Sequence, residues 1–351
     1  MSSLPVTDDL LAEIFLLLPA PEDLARVSAV CVAFRRLVTD GSFLRRFRRL
    51  HAPPLLGFLD LEGFHPAVPP HPSAPAARAL SLAADFTFSF LPSHCRWAVQ
   101  DVRDGRVLLD RGTEEDDEFQ VFTELVVCDP LHRRYVLLPP LPDDLAASVE
   151  DPVSIFLGRR CEPILIPPSE EDAQETAFRV IWFARCKIKL YIFVFSSTTG
   201  EWRLAASQSF RDLLLAKGES TMTESTMMTL LHPLFIGRHF ACGCVYWELL
   251  MNKIRKDLLV LDTRTMEFSI ADHPPKGWNT GGLGIVEAGE DKLGMFRISR
   301  ETPEEDLPRG LASRSITAAG GNVFLFFSFL LFPRARENKQ TRACTSSKRH
   351  R

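Results

Sequence analysis

Long apolar runs are missing from this chain. The longest, residues 323–332, spans ten positions and ends the patterned part of the sequence, about half of the ~20 residues that a helix needs to cross a bilayer. An excess of charge of one sign is missing too: 41 Lys and Arg stand against 45 Asp and Glu, a net charge of −4. That balance gives no bulk attraction to nucleic acid or to an anionic membrane, so neither is an expected partner. No N-x-S/T sequon occurs, and the chain opens with polar residues and an acid-bearing helical pattern rather than a signal peptide. The eight cysteines are irregularly spaced and mostly set in apolar runs, as buried thiols are in a reducing compartment. Cytoplasm, nucleus or both is the expected setting.

Catalytic signatures are equally scarce. There is no G-x-S-x-G, no H-E-x-x-H and no P-loop. Gly282-Leu-Gly284 with Gly289 is a poor dinucleotide fingerprint set in β-like sequence, where a strand-end turn is expected. Cys242-x-Cys244 lacks the two-residue gap of a zinc knuckle and has no second pair; on a strand both thiols would face one side and pack. The histidines form no ligand spacing. No metal, cofactor or catalytic residue is expected, and the chain reads as non-catalytic. The acidic run 114–118 reads as a solvated loop.

What is present begins at the N-terminus. Leu10, Leu11, Ile14, Phe15 and Leu18 form one helical stripe. Pro19 and Pro21 interrupt it, and Pro21 with Glu22 and Asp23 suits a first helical turn. Leu24, Val27, Val30, Cys31, Phe34, Leu37 and Val38 then resume helical spacing, with Asp40-Gly41-Ser42 closing the unit and four arginines between 45 and 49 giving it a basic end. Fifty residues bury too little surface to hide all of this apolar content alone.

The order Leu4-Pro5, Ile14, Leu18-Pro19, Asp23-Leu24, Val30-Cys31, Arg35, Phe43 resembles the F-box, with Phe34 where that family usually carries Trp. The resemblance implies a three-helix module, residues 1–50, that docks on the Skp-type adaptor of a cullin-RING (SCF) ubiquitin ligase. Leu4, Pro5, Ile14, Leu18, Pro19, Leu24, Val30 and Cys31 are carried over as the adaptor-binding positions. Some of them must also hold the helices together, and the sequence does not separate the two roles.

Residues 51–78 contain seven prolines and read as a connector, or equally as an irregular first strand pair, because 55–61 is apolar. From 79 to 305 short β-like runs follow. One unit recurs at 126–142, 193–207 and 259–275, spaced by 67 and 66 residues. In each, an apolar strand ends at Asp129, Ser196 or Asp262, and six residues on an aromatic follows, Tyr135, Trp202 or Phe268. A side chain that bonds the backbone two residues ahead starts a turn, so each copy predicts a β-hairpin carrying its aromatic to a buried position. Glycine-led strands at 105–109 and 243–247 predict further strands in the same sheets. Repeated sheets of this kind stack radially in propellers, with loops 114–118 and 170–175 as insertions; an irregular β-sandwich is the alternative.

The line CDPLHRRYVLLPPLP (128–142) is similar to the F-box-associated β domains of plant proteins, particularly the grass type. The expected fold is therefore α+β multidomain: a small helical F-box, then an all-β, propeller-like domain that is incomplete at its C-terminus. Residues 306–351, with the apolar run 323–332 and a tail of seven Lys or Arg, read as a disordered end outside the domain design. The resemblances imply a substrate-recognition subunit that binds the adaptor, and through it cullin, by the F-box and an unidentified target protein by loops of the β domain. An F-box protein that occupies the adaptor without delivering a target is the alternative; a propeller enzyme is disfavoured by the missing motifs.

Overall fold

The N-terminal segment folds into four short helices: α1 Asp8–Leu16, α2 Pro21–Val30, α3 Val32–Val38 and α4 Gly41–Leu50. Three were expected, and the extra element comes from caps that hydrophobic periodicity does not reveal. Cys31 is extended (φ −158°, ψ 167°), and its Sγ accepts from the Phe34 N–H at 3.4 Å, so α3 starts afresh where the apolar pattern runs on unbroken. Asp40 likewise opens a helix instead of closing one: its Oδ1 accepts from the backbone of Ser42 and Phe43. In this computed structural model the residues described are 7–19, 21–51, 55–60, 63–92, 96–111, 121–150, 152, 161–168, 177–217, 234–251, 255–272, 282–287, 293–300 and 314–318.

The proline-rich stretch is folded. β1 Gly57–Leu59 pairs with β2 Phe64–Pro66, and α5 spans Ala74–Ala83 with Pro75 in its first turn. Gly57 sits at φ +151° with the His65 carbonyl so close that a Cβ would come within 2.3 Å of it. Only glycine fits that approach. Leu59 and Phe64 pack onto the first large sheet, so the stretch is the strand pair that the sequence allowed rather than a free spacer.

Three four-stranded antiparallel sheets follow, each a meander in chain order. The first comprises β3 Trp97–Arg103, β4 Arg106–Arg111, β5 Leu125–Asp129 and β6 Arg134–Leu137. The second, after α6 Asp143–Ala146, comprises β7 Cys161–Ile166, β8 Arg179–Arg185, β9 Lys189–Ser196 and β10 Glu201–Ser209. The third, after α7 Phe210–Ala216, comprises β11 Leu234–Ala241, β12 Cys244–Met251, β13 Arg255–Asp262 and β14 Glu267–Asp272. β15 Gly282–Glu287, β16 Leu293–Arg300 and β17 Arg314–Ala318 form a three-stranded sheet. β17 corrects the expectation that everything beyond 305 is disordered: Ile316 pairs with Ile298. The apolar run 323–332, the basic tail and the acidic loops 114–118 and 170–175 lie outside the described residues.

Strand alternation turns these sheets into a stack. On β8, Val180, Trp182 and Ala184 join Leu108, Leu125 and Val127 of the first sheet. Ile181 and Phe183, on the opposite face, join Val245, Trp247, Leu249, Leu259 and Leu261 of the third. Tyr246 and Leu258 turn the other way, onto Leu283 and Ile285 of the last sheet. Every residue of β8 is buried, as a strand covered on both faces must be.

The recurring hairpins share one geometry. Asp129 pairs with Arg134, Ser196 with Glu201 and Asp262 with Glu267; the preceding residue pairs with the aromatic, Cys128 with Tyr135, Phe195 with Trp202 and Leu261 with Phe268. Asp129 Oδ1 accepts from the Leu131 and His132 N–H groups and Asp262 Oδ1 from those of Arg264 and Thr265, while Ser196 Oγ accepts from the Thr198 N–H. The chain then crosses to positive φ four residues after each: Arg133 at 52°, Gly200 at 74° and Met266 at 60°. Burial of the aromatic is where the copies part. Trp202 is buried and its Nε1 donates to the Pro139 carbonyl at 2.7 Å, and Phe268 is half-buried, but Tyr135 stays 43% exposed. Trp202 and Phe268 face the preceding sheet, and among the described residues no four-stranded sheet precedes the first. Asp262→Ala should lower unfolding stability by about 1 kcal/mol through its two lost backbone hydrogen bonds, and Ser196→Ala by less, read from urea midpoints.

The opening strands of three sheets meet at one cation. Arg238 of β11 lies 3.2 Å from Glu162 of β7 and 3.7 Å from Asp101 of β3, and donates to the Gln100 and Pro163 carbonyls. Trp247 Nε1 holds the other Glu162 oxygen at 2.9 Å. Asp101 Oδ2 accepts from Leu165 N–H, and Arg103 donates to the Leu165 carbonyl while its guanidinium sits 3.7 Å over the Phe240 ring. Burial works against the Arg238 charge, but Glu162 and Asp101 outweigh it and hold the guanidinium above its ordinary pKa. Register shifts fall beside the cluster, between Val99 and Asp101 and between Phe235 and Arg238, where bulges re-aim these side chains inward. Arg238→Met should cost about 3 kcal/mol by leaving two carboxylates together without their cation. Thermal melts of the variant and of the unaltered chain read the loss.

Candidate functional site

The helical module sorts its apolar residues into an inner and an outer set. Phe15 and Leu16 of α1, Leu24 of α2, Val38 of α3, and Phe43 and Phe47 of α4 are buried together, with Leu11, Leu18, Val27, Phe34 and Leu37 packed partly against them. Phe34, the aromatic standing where the resemblance expects Trp, meets Phe15 edge to face at 5.1 Å. His51 stacks on Phe47 and its Nε2 lies 2.8 Å from the Leu16 carbonyl, fastening the end of α4 to the end of α1. Arg46 and Glu13 add an exposed ion pair between the same helices.

The outer set is unusual for so small a module. On α1 and its C-cap, Leu10, Ile14 and Leu17 project from one face at i, i+4 and i+7, exposed by 52%, 48% and 81%. At the α2–α3 junction Val30 and Val32 are 70% and 80% exposed, flanking the exposed Cys31. Apolar groups of this size left in water in two clusters mark a surface made to be covered.

Of the sequence-derived positions, Ile14, Pro19, Val30 and Cys31 lie on the outside, where a partner can reach them. Leu24 is buried and Leu18 is half-buried against the same core, so these two hold the helices together. Leu4 and Pro5 lie outside the described residues. Leu10, Leu17 and Val32 are not among the positions carried over from the resemblance. The run LLAEIFLLL offers two adjacent stripes, and only the packing of Phe15 and Leu16 decides which of them faces in.

Among the described residues no three His, Cys, Asp or Glu side chains converge as a metal site, and no helix is long and apolar enough to cross a membrane. Cys242 is not on a strand, as expected, but in the β11–β12 turn at φ 49°, followed by Gly243 at 73°. That positive-φ pair is the tight hairpin turn that antiparallel strands favour. Gly282 and Gly284 lie inside β15 rather than in a turn, and open no helix. Burial pushes the Cys128 thiol up to about 12, with Asp129 adding to the shift.

A helical docking module joined to a β-rich domain of several antiparallel sheets is the class that this geometry defines. Residues 1–50 match the family described as F-box-like, so the chain carries an F-box-like domain, and a domain of that family implies docking on a Skp-type adaptor. No curated protein matches the chain. Among solved structures, the GH93 alpha-L-arabinofuranosidase of Fusarium graminearum with arabinobiose is 11% identical at a TM-score of 0.34, covering 67% of this chain and 65% of that one. The alpha-L-arabinanase of Penicillium chrysogenum is 9% identical at 0.31, covering 63% and 65%. The exo-beta-1,3-galactanase of Phanerochaete chrysosporium is 9% identical at 0.29, covering 59% and 44%. At these values the likeness carries no inference about activity.

Exposure and burial set an order of reactivity among the thiols. Iodoacetamide at mildly alkaline pH should label Cys31 in the folded protein while Cys128, Cys161 and Cys186, all buried, stay unmodified. Peptide mapping by mass spectrometry checks the order.

Proposed function

We propose that this chain is the substrate-recognition subunit of an SCF-type ubiquitin ligase, docking on a Skp-type adaptor, and through it on cullin, by the F-box and holding a target protein by the β domain. The observation that carries the reading is the outer apolar set of the helical module, Leu10, Ile14, Leu17, Val30 and Val32, on the segment that matches the F-box-like family. The chemistry asked of this chain is positional. Fixing a target near the charged conjugating enzyme makes transfer to its lysines effectively intramolecular, and no group on this chain need react.

In this reading the sheets are the blades of an incomplete propeller, in the manner of the plant F-box-associated domains that the 128–142 line resembles. The face-to-face packing of consecutive meanders in chain order supports it. Thiols at Cys31 and Cys128 that form no disulfide suit the reducing cytoplasm or nucleus.

Interfaces of this kind rest on a few buried anchors. Ile14→Asp with Leu17→Asp should abolish co-purification with a Skp-type adaptor, because both side chains already face solvent and the helical core keeps its residues. Circular dichroism should be unchanged. Undiminished co-purification of the double variant overturns the assignment of this face, and failure of the unaltered chain to bind adaptor overturns the reading itself.

A further inference from the structure

A pocket of about 470 Å³ opens where the folded proline-rich stretch meets the first sheet. Its walls are Leu59 and Phe64 from the β1–β2 hairpin, Leu80 and Phe86 from α5 and the segment after it, and Val102 and Val107 from β3 and β4. That volume lies within the ~300–1,000 Å³ of sites that bind ligands. Among the described residues no four-stranded sheet comes before the first, so its face is left to other elements. The face that Trp202 covers in the second copy is roofed here by a short hairpin and a helix, which leave a gap.

The mouth has two further features. At the mouth the lining residues Phe58 and Leu131 stay 47% and 45% exposed. A small free ligand would sit within the walls and leave this collar bare, whereas a polypeptide segment covers it. The rim is also acidic, with the carboxylates of Asp104, at the β3–β4 turn, and Asp129. Burial works against the Asp129 charge, but hydrogen bonds from His132 and Leu131 outweigh it and hold the carboxyl below its ordinary range, so it is ionised at neutral pH. Arg106 and His132 line the pocket as well; the Arg106 guanidinium lies 5.7 Å over the Phe178 ring, and the His132 ring is 2.7 Å from Asp129 Oδ2.

We propose that this pocket is the target-recognition site of the β domain, and that it takes a short peptide segment presenting one bulky apolar side chain beside a lysine or arginine. The apolar side chain fills the cavity, the peptide backbone crosses Phe58 and Leu131, and the basic group meets Asp104 and Asp129. This rests on the reading that the β domain holds a target, and names the class of target.

The test uses the full chain co-purified with its adaptor and short acetylated, amidated peptides in a Gly/Ser host, read by fluorescence anisotropy. A Phe-Lys peptide should bind at least about tenfold more tightly than Phe-Glu or Gly-Lys. Ala84→Trp, which places an indole into the cavity from its rim, should remove binding. Asp104→Asn should keep Phe-dependent binding and narrow the Lys-over-Glu preference, since asparagine tolerates the φ of 51° at that turn position. Both variants should retain adaptor co-purification, which reports on the F-box alone. Equal binding of Phe-Lys and Phe-Glu, binding undiminished by Ala84→Trp, or binding of free indole with no peptide bound, would each overturn the proposal while leaving the ligase reading standing.

Discussion

Arg238 fixes where three sheets stand relative to one another. Hydrophobic stacking holds them face to face but is non-directional and tolerates sliding. A guanidinium is not so tolerant: its donors lie in a plane at set angles, and here they are spent on Glu162, Asp101 and two backbone carbonyls from β3 and β7. Sliding one sheet past another would strand at least one carboxylate away from its cation, which is far more costly than losing apolar contact. The bulges in β3 and β11 belong to the same constraint, because a regular strand would send neighbouring side chains to opposite faces. The turns at the far ends of the sheets inherit their positions from this hub.

A stack with direction has a first member. The aromatics of the second and third copies face the sheet before them, so Trp202 is buried and Phe268 half-buried, while Tyr135 of the first copy stays exposed. The β1–β2 hairpin and the segment after α5 supply a partial substitute, covering Val99, Val107, Leu109, Val126 and Cys128 with Leu59, Leu91 and four phenylalanines. Aromatic rings are wide and short-range, and a patch of them closes a sheet face less completely than four interdigitating strands do. Incomplete coverage explains both the exposed Tyr135 and the adjacent pocket. The feature that departs from the repeat is thus the one left free to bind.

Much of this was legible in the sequence, for local reasons. Asp129, Ser196 and Asp262 announced hairpins because an acceptor oxygen two residues before a free N–H is a short-range event. The F-box order was readable because its spacing carries the information. The hub was not. Asp101, Glu162 and Arg238 are far apart in the chain, each looks like an ordinary strand charge, and only bulges invisible to alternation bring them together. The fourth helix escaped for a similar reason, since the sulfur cap at Cys31 interrupts the backbone without interrupting the apolar pattern. Tyr135 misled because its residue type says that it prefers burial and says nothing of whether a neighbour exists to bury it.

The helical module met this problem of coverage with the opposite outcome. Six buried residues form its core, and nearly as many large apolar side chains remain in water. A module this small gains little from its own core and is marginal alone. Whatever covers Leu10, Ile14, Leu17, Val30 and Val32 therefore contributes to folding as well as to binding, by linkage between the two. That coupling accounts for the leucine-rich run in α1. A helix with one covered face needs only one apolar stripe, whereas LLAEIFLLL keeps two, one packed on its own helices and one exposed.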